Sequence, residues 1–521
     1  MNKRELHPER LEKVSSERRT GFFFVVLVVL LLYCVLFAEP HMGATNNGDY
    51  YRFAERCAIN GIELFEGDEY PFFYKVYEKW QWKPMDFQLL TPAKQSFGNV
   101  WLVSLVRLVT NIFGNTAQTP FSTFSLSIVY AVLFLCAATM LIWAAVRLTG
   151  QRAQWLILLG IVMLMGSMHL AWFNSFYGEA LLYVGLLLSC GLLLFLILEK
   201  HSAFCTLLSY AALCVSIFLF LTAKPQGVLA WPFWSTMLVV LVCNLCKAIQ
   251  CKRRRLVKGT LILITTGFLV YSGVSCVSLY KWNSEYNERD TLYSSIMYGA
   301  LMLTDSQEEA EAMLTDMGLP TECYADKGRN AYSSPDELHT QEHMEKMKDL
   351  LCEKTNTFGV LKYYLTHPVY LYRALEVTAS YAEQPAVSLL MFNGQDIRQG
   401  EVVRERFALW QRLRPYLVPH HFLTYLVVYA VLFLFCVHSL VRHQKDMKHC
   451  MLIGMYLLIM ITGIIQFPLP FIGNGLADTN KQLYLFMLCW DITVLIAIGW
   501  GGYSCVDTLR QSQLKKWTVS R

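Results

Sequence analysis

Four short stretches hold the residues that could do chemistry. The first is Asn46-Asn47-Gly48-Asp49-Tyr50-Tyr51-Arg52, which puts a carboxylate a few residues beyond an apolar run at 21–38. An acid held just outside a membrane can act as a general base toward a hydroxyl, and Tyr50 and Tyr51 suit a lipid interface. Trp172-Phe173-Asn174-Ser175-Phe176-Tyr177-Gly178-Glu179 sets a second acid at the start of an apolar run. Thr222-Ala223-Lys224-Pro225-Gln226-Gly227 follows another such run and offers a cation suited to a phosphate. The last, Gly473-Asn474-Gly475-Leu476-Ala477-Asp478-Thr479-Asn480-Lys481-Gln482, pairs an acid with a base three residues on. Each also has a structural reading. Glu179 would complement a helix dipole, Lys224 would snorkel, Asp478 would cap a helix, and Asp49 would sit in a solvated turn.

The elements that must position these residues are membrane helices. Of 521 residues, 55% are hydrophobic and only 16% charged, and the apolar runs repeatedly reach the length a bilayer requires. About ten spans of roughly 20 residues follow, near 21–38, 121–147, 154–172, 180–199, 204–222, 228–248, 258–278, 420–441, 449–470 and 482–503. Lys and Arg collect in alternate loops: Arg147 and Arg152, Lys200, Lys247 to Lys258, then Arg442, Lys445 and Lys448. With the basic tail 1–20 inside, those loops are cytoplasmic, as is the tail 504–521, and all four stretches fall on the extracytoplasmic side. The bulky Leu36, three residues before any cut after Ala38, argues for a retained first helix rather than a signal peptide. A net charge of +5 spread over short loops does not imply a nucleic acid partner.

Two outer segments are long. The first, 39–120, is expected to hold a short amphipathic helix after Asp49 and a second, around 97–109 with Arg107 in its middle, lying along the membrane surface. The second, 280–419, reads as a mainly helical extracytoplasmic domain. Ser306 with Glu309 forms a capping box, the helix stops at Gly318-Leu319-Pro320, and Ser334-Pro335-Asp336-Glu337 reads as a second helix start. The core therefore divides into 21–279 and 420–503 around that domain. Most of the 16 cysteines lie in or beside apolar runs, Cys323 and Cys352 could pair, and Cys243-Asn244-Leu245-Cys246 is at most half a zinc site. His169, His367 and the His420-His421 pair lack metal spacing, and Asp491, inside the last span, is expected to face the bundle and bond a neighbour.

In order along the chain, these features resemble the GT-C class of membrane glycosyltransferases, the clan of protein mannosyltransferases and lipid A aminoarabinose transferases. Leu292-Tyr293-Ser294-Ser295-Ile296-Met297-Tyr298-Gly299, Met317-Gly318-Leu319-Pro320 and Lys362-Tyr363-Tyr364-Leu365-Thr366-His367-Pro368 are similar to a bacterial group described as hexose transferases of S-layer and cell-wall glycan assembly. The resemblance covers roughly 21–503. It implies a GT-C fold, Asp49 as the catalytic carboxylate, Glu179 as a supporting acid and Lys224 as a contact to the donor phosphate. Arg52 and Arg107 are further phosphate candidates, and Asp478 and Lys481 further outer-face candidates. Asp49 is followed by Tyr50 where several relatives place a second acid, a departure that counts against a neighbouring acid pair holding a divalent cation, Mg or Mn. Lys481-Gln482 stands where Lys-His is expected.

The implied reaction is inverting transfer of a hexose from a polyprenyl-phosphate donor to a glycan or cell-wall acceptor at the outer face of the cell membrane. A competing reading is a transporter or flippase for a lipid-linked sugar, which predicts inverted repeats and broken helices near the midplane. A non-catalytic subunit that keeps the transferase shape is a third.

Overall fold

The computed structural model describes residues 8–45, 50, 57, 59–61, 79–82, 98–113, 121–150, 153–250, 253–383, 389–392 and 405–519. Asp49 and Arg52 lie outside the described residues, as does nearly all of the short helix expected after Asp49. The helices in chain order are α1 Pro8–Leu32, α2 Gly98–Phe113, α3 Thr123–Thr149, α4 Ala153–Leu164, α5 Ser167–Leu170, α6 Gly178–Leu198, α7 Ala203–Leu221, α8 Trp231–Ala248 and α9 Arg254–Met297. They continue with α10 Gln307–Asp316, α11 Gln341–Lys354, α12 Thr357–Thr366, α13 Pro368–Ala382 and α14 Leu409–Leu417. The chain closes with α15 Phe422–Arg442, α16 Met447–Ile464, α17 Leu469–Asn474, α18 Thr479–Gln482 and α19 Tyr484–Val519.

Among the described residues, nine helices are long and apolar enough to cross a membrane, and ten if α4 and the turn Ser167–Phe173 form one span bent by 56°. This matches the expected spans to within a few residues, apart from the bend. Because hydrocarbon cannot hydrate a peptide group, a bent span needs partners for the backbone groups it frees. Here the amide of Ser167 donates to the carbonyl of Arg406, 3.2 Å away, from a chain segment outside the span. The most enclosed helix is α6, packed against α3 and α7 and buried along most of its length. At one end of the bundle Arg147 pairs with Glu199 at 2.5 Å, and Lys448 donates to the carbonyl of Leu198 at 3.1 Å. Three of the basic loops therefore share an end, as the alternation of charge requires.

The strands are short and serve as stitches. β1 (Met42–Ala44), just past the first span, pairs antiparallel with β5 (Leu390–Phe392), from beyond the outer domain, in the register Met42 to Phe392. Thr45 extends the ladder by donating to the carbonyl of Leu389 at 2.7 Å. Arg406 reinforces it, bonding the carbonyls of Ala38 at 2.7 Å and Pro40 at 3.0 Å. A second sheet orders β2 (Ile59–Gly61), β3 (Lys79–Trp82) and β4 (Phe121–Ser122), all antiparallel. The helix expected near 97–109 is α2; its face bearing Val100, Val103 and Val106 is buried in the bundle's core, while Leu105, Leu108 and Val109 are exposed.

α9 runs 44 residues without a break, carrying the chain out of the bundle and into the outer domain. That domain has its own core, in which Tyr293, Ile296 and Met297 of α9 meet Leu314, Leu351 and Tyr364. The Leu292 to Gly299 stretch is its hub. The Tyr293 hydroxyl donates to buried Asp326 at 2.9 Å, Ser294 Oγ accepts from the amide of Ala331 at 3.0 Å, and Ser295 Oγ donates to the carbonyl of Ile472 at 2.5 Å. Gly299 and Gly475 touch: a Cβ on Gly299 would lie 2.7 Å from the Cα of Gly475, whose own φ is +59°. The outer domain is thus keyed to the loop after α17.

One expectation needs correction, and one open pairing is decided. Ser334-Pro335-Asp336-Glu337 does not start a helix; α11 begins at Gln341, capped by Thr340 Oγ1 accepting from the amide of His343 at 3.2 Å. Asp336 is used instead to close a turn, accepting from the amides of Leu338 and His339 at 3.0 and 2.7 Å and pairing with Arg329 at 2.5 Å. Local side-chain bonds to backbone compete with helix in this way. Nor are Cys323 and Cys352 bridged: Cys323 is buried with its sulfur 3.6 Å from Met347 Sδ, and Cys352 is exposed. The Ser306 cap does form, with its Oγ accepting from Glu309 N at 3.2 Å, while the Glu309 carboxylate reaches Asp305 N at 2.6 Å.

The Tyr370 hydroxyl, the Asp305 amide and Arg373 hold the Glu309 carboxyl below its ordinary value of 4.5, and Arg289 with Lys348 does the same for Glu345. A carboxyl whose pKa is lower in the folded state stabilises that state fully above the unfolded value, and the contribution disappears as pH falls through the folded value. Hydrogen exchange of α10 and α11, corrected for intrinsic rates, is therefore expected to accelerate as pH falls below the ordinary carboxyl value of 4.5 in the full-length protein. Unchanged protection below that value would show that these ion pairs contribute nothing to the outer domain.

Candidate active site

The three helix-end stretches meet at one end of the bundle. Tyr177 is the N-cap of α6, so Glu179 falls in the helix's first turn, where a carboxylate is favoured. Glu179 is fully buried, and Lys224 Nζ donates to its Oε1 at 2.6 Å. Oε2 is also buried and has no hydrogen-bond partner among the described residues. Lys224 lies in the break between α7 and a short 3-10 turn, Pro225–Ala230, where Pro225 ends one helix and starts the next. Close approach depends on Gly178: a Cβ there would lie 2.5 Å from Lys224 Cγ and 2.6 Å from the carbonyl of Ala223. The pair thus needs a glycine next to its acid.

Lys481 joins from the last loop. It is almost buried, pairs with Asp478 at 2.9 Å, and its Nζ lies 5.4 Å from the centre of the Tyr177 ring. Asp478 has a left-handed backbone, φ +53°, and makes no side-chain cap, so its carboxylate is directed to Lys481 rather than to α18. The loops are bolted together by Gln226, which donates to the carbonyl of Gln482 at 3.1 Å, and by Gln466, which donates to the carbonyl of Gln226 at 3.1 Å.

Tyr177 is also the link to the first loop. Its hydroxyl donates to the carbonyl of Thr45 at 2.9 Å, and the ring of Tyr50, the residue after Asp49, packs edge-on at 5.3 Å. Tyr50 itself is buried and bonds the carbonyl of Ala44. Asn174 anchors the same segment, bonding the carbonyl of Met42 at 3.3 Å and accepting from Thr123 Oγ1 at 2.6 Å. Glu179, Lys224, Asp478 and Lys481 are therefore gathered around Tyr177, beside the chain that carries Asp49. Arg107 is buried on α2 and its guanidinium bonds the carbonyl of Cys57.

Several contributors were not singled out as site residues from the sequence. Tyr177 and Gln226 lie inside the stretches quoted above, but nothing in their type or spacing revealed what they touch. Tyr484 and Gln466 sit in apolar runs that gave no signal beyond a lone polar group. His169 bonds Tyr484 through Nδ1 at 3.0 Å and stacks on Tyr183, a structural placement. Asp491 faces the bundle and bonds Trp410 Nε1 at 2.7 Å and Arg414 Nε at 3.4 Å. Among the described residues, no group of three or more His, Cys, Asp or Glu is placed to hold a metal.

Fold and site together define a polytopic α-helical membrane protein with paired acids and lysines gathered at one end of its bundle. The chain belongs to the family described as the YfdI N-terminal transmembrane domain, which it matches over residues 9–517. Membership is consistent with a membrane glycosyltransferase without being specific to one. No curated protein matches the chain.

A buried charge left unpaired is costly, whereas removing both partners is often nearly neutral. Lys224→Met is accordingly expected to destabilise the protein by about 3–5 kcal/mol, and Glu179→Gln combined with Lys224→Met by distinctly less. Unfolding of the single and double variants in one detergent measures this; simple addition of the two losses would mean that the ion pair is not coupled.

Proposed function

We propose that this chain is an inverting glycosyltransferase that moves a hexose from a polyprenyl-phosphate donor to a cell-surface glycan or cell-wall acceptor on the extracytoplasmic side. The observation that carries the reading is the convergence on Tyr177: two lysines, each held by an acid, beside the segment that bears Asp49. Transfer from a lipid phosphate needs a base for the incoming hydroxyl and positive charge for the departing phosphate. Lysine fixed at a membrane helix end supplies the second without a metal having to be invoked.

In this mechanism Asp49 accepts the proton of an acceptor hydroxyl as its oxygen attacks the anomeric carbon. The bond from that carbon to the phosphate oxygen breaks, and the polyprenyl phosphate leaves with both bonding electrons. Lys224, oriented by Glu179, stabilises the phosphate, with Arg52 and Lys481 as further cations. Arg107, which bonds the carbonyl of Cys57 from α2, is a further phosphate candidate. A single displacement inverts the anomeric configuration.

Purified protein in nanodiscs, given a polyprenyl-phosphate hexose with lipid extracts or cell-wall fragments as acceptors, is expected to transfer the sugar. Asp49→Asn should lower that rate by roughly 10²–10⁴-fold, the range for a lost general base. Full activity in Asp49→Asn would remove Asp49 from the chemistry. No transfer by wild type to any acceptor, with labelled lipid moving between leaflets instead, would replace the enzyme with a flippase.

A further inference from the structure

α14 is built the wrong way round for a helix on a water-soluble domain. Its polar residues Gln411 and Arg414 are buried, together with Trp410. Its exposed face is formed by Leu409, Leu413, Tyr416 and Leu417, which are 53%, 41%, 83% and 64% exposed. These follow one another at i, i+4, i+7 and i+8, a continuous apolar stripe. In water such a stripe would turn inward and the arginine outward; the reverse is what hydrocarbon favours.

The contacts of the buried face set the depth. Arg414 pairs with Asp491, and both are fully buried. Asp491 lies in the candidate span Tyr484–Gly501, seven residues past its start, or about 10 Å along the helix axis. Trp410 donates to the same carboxylate and packs with Met163 of α4 and Leu495 of α19, deeper still. Leu495 lies in that candidate span, and α4 is half of the bent pair that together is long and apolar enough to cross a membrane. Four residues after α14 ends, the chain enters the span α15. A nine-residue helix whose inner face touches candidate spans at that depth has its outer face level with their hydrocarbon-facing residues.

One charge lies on the exposed side, and its placement is consistent with this. Arg412 bonds Glu405 at 3.1 Å, so its charge is compensated. The segment before α14 also closes the bend in the span above it. Arg406 supplies the carbonyl for Ser167, and a Cβ on Gly166 would lie 3.0 Å from the carbonyl of Phe407.

We propose that residues 405–418 form a membrane-embedded element whose Leu409, Leu413, Tyr416 and Leu417 face packs against lipid acyl chains. The soluble part of the outer domain therefore ends before this segment, not at the start of α15. The occupant is bilayer hydrocarbon: the stripe is continuous in depth with spans α4 and α19, and its only outward charge is paired.

Full-length protein in phosphatidylcholine nanodiscs doped with a phospholipid carrying a diazirine on its acyl chain tests this without any substitution. After irradiation, mass spectrometry is expected to find adducts on 409–417 within about threefold of those on the lipid face of α15 around Leu426 and Leu434. Adducts should be absent from 332–338, where Tyr332 and Leu338 are equally exposed but belong to the outer domain. Hydroxyl radicals generated in the water phase should oxidise Tyr332 and spare Tyr416. Adducts on α15 with none on α14 would overturn the proposal, whether water or a second copy of the chain covers that face, and so would equal oxidation of Tyr332 and Tyr416.

Discussion

A charge taken out of water must be paired where it stands, and that constraint organises this molecule. Glu179 is fully enclosed at the end of α6, the most buried span, so Lys224 has to come to it. Lys224 can arrive only because the chain breaks at Pro225 and because Gly178 leaves room for its stem. The break then exposes backbone and side-chain groups, which Gln226, Gln466 and the carbonyl of Gln482 satisfy between them. One ion pair thereby fixes the relative positions of α6, α7, α8 and the loop between α17 and α19.

Polar satisfaction also explains why the outer elements are stitched to the bundle so heavily. The bend between α4 and α5 frees a backbone amide that Arg406 covers, and the same residue's side chain clamps the carbonyls of Ala38 and Pro40 behind the first span. β1 and β5 repeat the connection with main-chain bonds. The entrance to the first outer loop and the exit from the outer domain are therefore one structural unit, and Asn174 ties that unit to the start of α6. Thr45 and Tyr50, which flank the residues around Asp49 in sequence, are each anchored by a bond to a backbone carbonyl.

The spans were legible in the sequence because membrane helices must be apolar for their whole length, a signal that needs no knowledge of partners. Glu179, Lys224, Asp478 and Lys481 were legible for a related reason: a charge at a helix end in a chain this apolar stands out. Their convergence was not, since positions 179, 224 and 481 are far apart in sequence and only packing brings them together. Tyr177 shows this best, as an interfacial tyrosine of ordinary appearance that turns out to touch the first loop, Lys481 and the carbonyl of Thr45. The false helix start at Ser334 failed for another reason. A cap motif states only what its side chains can bond, and Asp336 found better partners in Arg329 and the amides of its own turn.

The proposed placement of α14 in the membrane would move the edge of the outer domain, and hydropathy averaged over a window does not register so short an amphipathic helix. α14 has only nine residues, two of them arginine, and a proline at position 415, so it reads as a soluble connection. Its buried polar face and exposed apolar face carry the proposed membrane placement, which has a consequence for the site. Arg414 and Asp491 fix 405–418 to the last span, and Arg406 fixes the same segment to the chain leading toward Asp49. A displacement of α14 would therefore strain both the bend beside His169 and the entrance to the first loop. The buried pair is best understood as a strut: it contributes little net stability where hydrocarbon residues would serve as well, but it fixes which way this segment faces and how deep it sits.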